Sequence, residues 1–199
     1  MGGKMLVIVY HDTKDEKGKH LMEEEIKRRL GNIKLVPISE LSNLSFKKGE
    51  KVVSLIPFRG GHNRSVCEAS SKYRVKCLKV PIELIAESIK QEVKRRGCKS
   101  ICFMYRRAKR FVEEQEDDIK YIVDSIAKPT NAKVSLECNS CYDCIFSLTM
   151  FKGELSKKAW EKGASCGHSI VIEDLFSIAK DDIIEWIESI ENNGAGGGV

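Results

Sequence analysis

The chain has 199 residues, 42% of them hydrophobic and 32% charged, enough for one large domain or two smaller ones to bury a core and too apolar for disorder. No apolar run approaches the roughly 20 residues of a membrane-spanning helix, so no membrane partner is expected. Lysine plus arginine exceed aspartate plus glutamate by 34 to 29, a net charge of +5, too balanced to imply a nucleic-acid partner.

Met1-Gly-Gly-Lys-Met5 runs straight into the strand-like Leu6–Tyr10 with no signal h-region, so a cytoplasmic protein is expected. Only two glutamines, Gln91 and Gln115, stand among many Lys, Glu and Ile, a composition that leans towards a thermophile. Eight cysteines without an export signal read as buried thiols or metal ligands rather than a disulfide framework.

In the first half, strands are predicted over Met5–Tyr10, Ile33–Ile38, Val52–Pro57 and Val75–Val80. Between them Met22, Ile26 and Leu30, then Ile85, Ile89 and Val93, recur every fourth residue on a charged background, each set making one apolar helical face. The second half repeats the plan, with strands over Ile101–Tyr105, Lys133–Glu137, Ile145–Met150 and Ser169–Ile172 and helices near 108–127, 154–162 and 174–190. Such alternation predicts an α/β fold, a parallel sheet with helices on both faces.

The wording itself repeats. Lys4-Met-Leu-Val-Ile-Val-Tyr10-His11 lies over Lys99-Ser-Ile-Cys-Phe-Met-Tyr105-Arg106, and Ser54-Leu-Ile-Pro-Phe-Arg-Gly60 over Ser147-Leu-Thr-Met-Phe-Lys-Gly153. Ile82-Glu83-Leu84 over Ile172-Glu173-Asp174 adds a third collinear anchor. These matches predict an internal duplication: two similar lobes, 1–97 and 98–191, each a four-stranded parallel sheet flanked by helices. Residues 192–199, rich in Gly and Asn, are expected to form a disordered tail.

His11 and His62 fall just past the carboxyl ends of the first and third strands, where open α/β sheets bind ligands. In a doubly wound order 2-1-3-4 they face each other across that crevice. Two neutral imidazoles there can ligate a divalent ion or take up protons near neutral pH. His20, inside a helix, and His168, before the last strand, read as structural. Gly60-Gly61 beside His62 allows close backbone approach to a bulky ligand. Arg59 and Arg64 flank it, Lys14 follows His11, and Arg106-Arg107-Ala108-Lys109-Arg110 stands at the matching place in the second half, a supply of cations for carboxylates or phosphates. Cys138-x-x-Cys141-x-x-Cys144, with Cys166 downstream, has spacings compatible with an iron-sulfur cluster or a structural zinc.

The strand-His11-x-Thr13-Lys14 opening and the Pro57-Phe58 to Gly61-His62 element resemble the signatures of the sirohydrochlorin cobaltochelatases and ferrochelatases. Asp12 stands for the usual Gly, Lys14 for the usual Arg, and Val66 where an acidic residue follows the histidine. The resemblance implies insertion of Co2+ or Fe2+, as substrate metal, into sirohydrochlorin in cobalamin or siroheme synthesis. It gives His11 and His62 the roles of metal ligands and catalytic groups. Lys14, Arg59, Arg64, Arg106 and Arg107 then bind the substrate's carboxylates, and Glu83 at a strand end assists. A two-lobed chain can fill its own pseudo-twofold interface, which favours a monomer over a dimer. The alternatives are a non-catalytic tetrapyrrole or metal carrier, or an iron-sulfur protein on the same scaffold. A phosphate-binding regulatory module is disfavoured by the lack of a Gly-x-Gly-x-x-Gly or Walker loop.

Overall fold

A computed structural model describes residues 5–192. The first lobe comprises β1 (Leu6–Tyr10), α1 (Glu16–Leu30), β2 (Ile33–Pro37), a 3-10 turn (Ile38–Asn43), β3 (Lys51–Ser54), α2 (Gly61–Ser71), β4 (Lys76–Lys79) and α3 (Ile82–Arg96). The second comprises β5 (Ser100–Met104), α4 (Val112–Thr130), β6 (Lys133–Ser135), β7 (Cys144–Ser147), α5 (Glu154–Cys166), β8 (Ile170–Ile172) and α6 (Phe176–Asn192). Each lobe has one four-stranded sheet, ordered β2-β1-β3-β4 and β6-β5-β7-β8, with every pair parallel.

The central strands β1, β3, β5 and β7 read as apolar runs because both sheet faces are covered there, whereas the edge strands β2, β4 and β6 carry Lys34, Lys76, Lys79 and Lys133. Along β1, Leu6, Ile8 and Tyr10 point inward while Val7 and Val9 point outward, the period of two that a pleated strand imposes. The inward residues of both sheets, among them Ile101, Phe103 and Phe146, join a single core with the apolar faces of α1, α3, α4 and α6. Met22, Ile26 and Leu30, and Ile85, Ile89 and Val93, are buried in it as their spacing predicts. α3 packs against α4 and α6, and α6 also packs against α1, so helices of the two lobes interleave between the sheets. α2 and α5 cover the outer faces. At the junction of the lobes α3 stops at Gly97, whose left-handed φ of 66° lets its N–H cap the carbonyls of Val93 and Lys94, a conformation that suits glycine at a helix end.

The registers support two of the three repeat anchors. Val9 pairs with Ser54 in the first sheet as Met104 pairs with Ser147 in the second. The third slips. Val53 pairs with Leu78 where Phe146 pairs with Ile172, so Glu173 occupies the place of Lys79 and not that of Glu83. Asn192, expected in the tail, ends α6; residues 193–199 lie outside the described residues.

Candidate active site

The segments that follow the carboxyl ends of the strands meet between the lobes: Tyr10, the last residue of β1, packs edge-on against Phe151 beyond β7, and Gly60 lies beside Ala108 beyond β5. His11 leaves the end of β1. His62 is the second residue of α2, which begins after the turn Pro57-Phe58-Arg59-Gly60. The two imidazoles face one another with ring centroids 4.9 Å apart and planes tilted by 38°. Burial holds the His62 pKa below the usual imidazole value, and the nearby charges of His11 and Arg106 lower it further. The His62 ring is therefore neutral at pH 7, with a nitrogen lone pair free to accept a proton or a metal ion. Among the described residues no group of three or more His, Cys, Asp or Glu side chains is arranged around a common metal position.

The turn before His62 is fixed from inside and outside its lobe. Ser54 Oγ donates to Asn63 Oδ1, and Asn63 Nδ2 donates to the carbonyls of Ile56 and Phe58. Lys79, at the end of β4, donates from Nζ to the Pro57 and Val80 carbonyls at 2.7 and 2.9 Å. Its burial pushes the amine down to about 8, against the pull of Asp118. From the second lobe, Asp118 on α4 accepts the Arg59 backbone N–H at 2.7 Å and Arg59 Nε at 2.9 Å. The Asp118 side chain is only 4% exposed, and a buried carboxylate requires such donors. Gly60, at φ 151°, is left-handed; a Cβ there would lie 3.5 Å from that of Ala108 in the second lobe.

The expected anion-binding residues divide into two groups. Arg59 is committed to Asp118, and Arg64 pairs with Glu114 while its guanidinium sits 4.3 Å above the Phe111 ring; both brace one lobe against the other. Arg106 and Arg107 make only solvent-exposed pairs, with Glu154 at 3.3 Å and Glu116 at 2.8 Å. Pairs of that kind are weak and easily exchanged for a ligand carboxylate. Their loop is held by buried Gln115, which donates to the Arg106 carbonyl at 3.0 Å and accepts the Ala108 N–H at 2.8 Å. This clamp delays the start of α4 from the expected 108 to Val112. Lys14 is exposed beyond His11. Glu83 is exposed in the first turn of α3, on the side of Lys79. His20 pairs with Glu24 on the exposed face of α1, and His168 is exposed ahead of β8.

The cysteines, whose spacing is compatible with a cluster or a zinc site, are instead joined in disulfides. All eight are paired: Cys67 with Cys77, Cys98 with Cys144, Cys102 with Cys138, and Cys141 with Cys166. Cα separations of 5.3 to 5.9 Å suit disulfides. Cys144, the first residue of β7, points into the shared inner core, whereas Cys138 packs on the outer layer under α5. The Cys138-x-x-Cys141-x-x-Cys144 spacing is thus divided between two faces of one sheet. The expectation of unpaired thiols or metal ligands is overturned with it.

Thr13, Lys79, Asn63, Gln115 and Asp118 were not singled out by the sequence. Only Thr13 stood within a recognised signature. Asn63, Lys79 and Gln115 fix turns and loops within their own lobes, whereas Asp118 and Thr13 reach the opposite lobe, at Arg59 and at the Lys152 carbonyl.

The site thus defines a two-lobed α/β protein with a histidine pair and a basic loop at the carboxyl ends of parallel strands. No protein-family model matches the sequence, and no curated protein matches it. Among solved structures the chain is similar to the XylFII molecule, with 11% identity, a TM-score of 0.49, and coverage of 100% of this chain and 96% of that one. It is also similar to an extracellular ligand-binding receptor from Rhodopseudomonas palustris HaA2, at 9% identity and TM-score 0.47, over 90% of this chain and 65% of that one. A further similarity is to unliganded arylmalonate decarboxylase, at 12% identity and TM-score 0.36, over 100% and 95% of the two chains. No helix among the described residues is long and apolar enough to cross a membrane.

Proposed function

We propose that the chain is a metal chelatase that inserts Co2+ or Fe2+ into sirohydrochlorin, a polycarboxylated tetrapyrrole. The observation that carries this reading is the His11–His62 pair, 4.9 Å between centroids, at the strand ends beside the cationic loop of the second lobe. Insertion exchanges one divalent ion for two pyrrole protons. The site must therefore hold the ion loosely and accept protons. A neutral imidazole does both, and a histidine pair leaves the remaining coordination positions to water and then to pyrrole nitrogens.

Arg106, Arg107 and Lys14 supply charge for the macrocycle's carboxylates at the mouth of the cleft. Arg59 and Arg64, paired with Asp118 and Glu114 of the opposite lobe, hold the two lobes together behind them. The reaction needs no nucleotide and no resident cofactor, and the chain acts as a monomer because its second lobe completes the cleft. The reading places the protein in the cytoplasm. Four disulfides fit that location in hyperthermophiles, whose intracellular proteins are disulfide-rich, and the glutamine-poor composition points the same way.

The test is an anaerobic assay of purified protein with sirohydrochlorin and Co2+ or Fe2+, followed by the visible spectrum. Insertion above the uncatalysed rate, abolished in His11→Ala and His62→Ala while the fold persists, is expected. Wild-type rates in both variants would refute the assignment. No acceleration, but a perturbed tetrapyrrole spectrum, would indicate a carrier instead.

A further inference from the structure

The His pair is built from segments that are each fastened to the opposite lobe. Two residues beyond His11, Thr13 Oγ1 donates to the Lys152 carbonyl of the β7–α5 turn. Three residues before His62, Arg59 donates twice to Asp118 on α4, at 2.7 and 2.9 Å. Arg59 and Lys152 hold the same place in the repeat, each preceding the N-cap glycine of α2 or α5. The bond on the His62 side is the better shielded of the two, since Asp118 is buried. It also grips the backbone itself: the Arg59 N–H belongs to the turn whose path fixes where α2 begins.

We infer that Asp118 is a positioning residue: from the second lobe, through Arg59, it sets His62 opposite His11. Asn63 and Lys79 shape the turn within the first lobe, but neither reaches the second. The Asp118–Arg59 contact makes the separation of the imidazoles depend on how the lobes are apposed, so a substrate drawing the lobes together acts directly on the histidines. This inference deepens the chelatase reading, and its metal-binding arm rests on it. Its ring-contact arm does not.

The experiment uses the full chain with labelled histidine rings. Nuclear Overhauser contact between the His11 and His62 rings is measured, and Co2+ is titrated in with its visible absorption recorded. In Asp118→Asn the ring contact is expected to weaken, the Co2+ spectrum to change and Co2+ affinity to fall by about 10- to 100-fold, as for other residues that orient metal ligands. Far-UV circular dichroism should stay at wild type. Arg59→Met, which removes an exposed guanidinium but leaves the backbone N–H on Asp118, should move the same readouts less, and it decides the matter if Asp118→Asn does not fold. A folded variant of either kind with wild-type ring contact and Co2+ spectrum overturns the inference, as does a wild-type protein without ring contact. If the contact is lost in the variants but wild-type Co2+ binding does not depend on His11 or His62, the chelatase reading fails and the positioning role stands.

Discussion

Beneath α2 the first sheet's outer face closes on Val7, Val9, Val36, Phe46, Val52, Ile56, Val66 and Val75. Beneath α5 the second has only Cys102, Tyr142, Ile145 and Ala159 as its buried set. The poorer layer carries two disulfides, Cys102–Cys138 and Cys141–Cys166, where the richer one carries Cys67–Cys77 alone. One topology is thus closed by apolar burial on one side and by covalent links on the other, the substitution that small or thin cores commonly require. The cleft shows a matching division. Tyr10-His11 becomes Tyr105-Arg106, and the second residues of α2 and α5 are His62 and Leu155. The repeat keeps the strand end and the turn glycine while the imidazoles remain in one lobe only, leaving the other to supply charge.

The largest expected effect breaks this division at the cleft. His62→Ala should abolish metal insertion, whereas Leu155→Ala at the equivalent position should leave most of it; steady-state insertion rates compare the two directly. Next come the outer layers. Removing a native disulfide costs about 2–5 kcal/mol. Cys102 and Cys138 are 36 residues apart and Cys67 and Cys77 only 10, so by chain entropy the former link contributes about 1 kcal/mol more. Paired Cys→Ala replacements followed by denaturant titration should show that order, and hydrogen exchange under reducing conditions should expose residues 136–143 and α5 before α2. Equal loss in both lobes would mean that the apolar layer under α2 adds no local stability.

A smaller effect sharpens the role of the basic loop. Arg106→Ala removes one charge-assisted contact, about 1.5–3 kcal/mol where it is made, and should raise KM for sirohydrochlorin about tenfold or more. Its effect on a tetrapyrrole stripped of carboxylates should be slight, and similar losses with both substrates would assign Arg106 to the metal step instead.

The sheets were legible because strands buried on both faces appear as apolar runs, and the His pair because His11 directly follows one such run and His62 opens the helix that comes after another. Topology then brought His11 and His62 together. The cysteines were misread for a physical reason: spacing along the chain does not say which face of a sheet a residue points to, and Cys138 and Cys144 lie on opposite faces. The third repeat anchor misled because Ile-Glu is common at strand ends and carries no register of its own. Asp118 was invisible among the acidic residues of α4, since its significance comes from Arg59, on the other lobe.

Asp174 gives the finest test of the lobe comparison. By register it takes the place of Val80, which is fully buried in the first lobe. The second lobe therefore buries a carboxyl where its twin buries a valine. Asp174 Oδ2 accepts the Ser177 N–H at 3.0 Å at the start of α6, but Oδ1 has no partner among the described residues. Burial holds its pKa above the usual carboxylate value, opposed by the Ser177 hydrogen bonds and the Lys152 charge. The native state thus binds this proton more tightly than the unfolded chain does, and stability falls as pH rises from the unfolded value, about 4, through the folded one. Asp174→Asn keeps an acceptor for Ser177 and removes the charge. Its Tm should exceed that of wild type at pH 7, with the difference shrinking as pH falls towards about 4. A variant less stable at pH 7 would show instead that a negative charge at the α6 N-terminus, favoured by the helix dipole, outweighs its own burial.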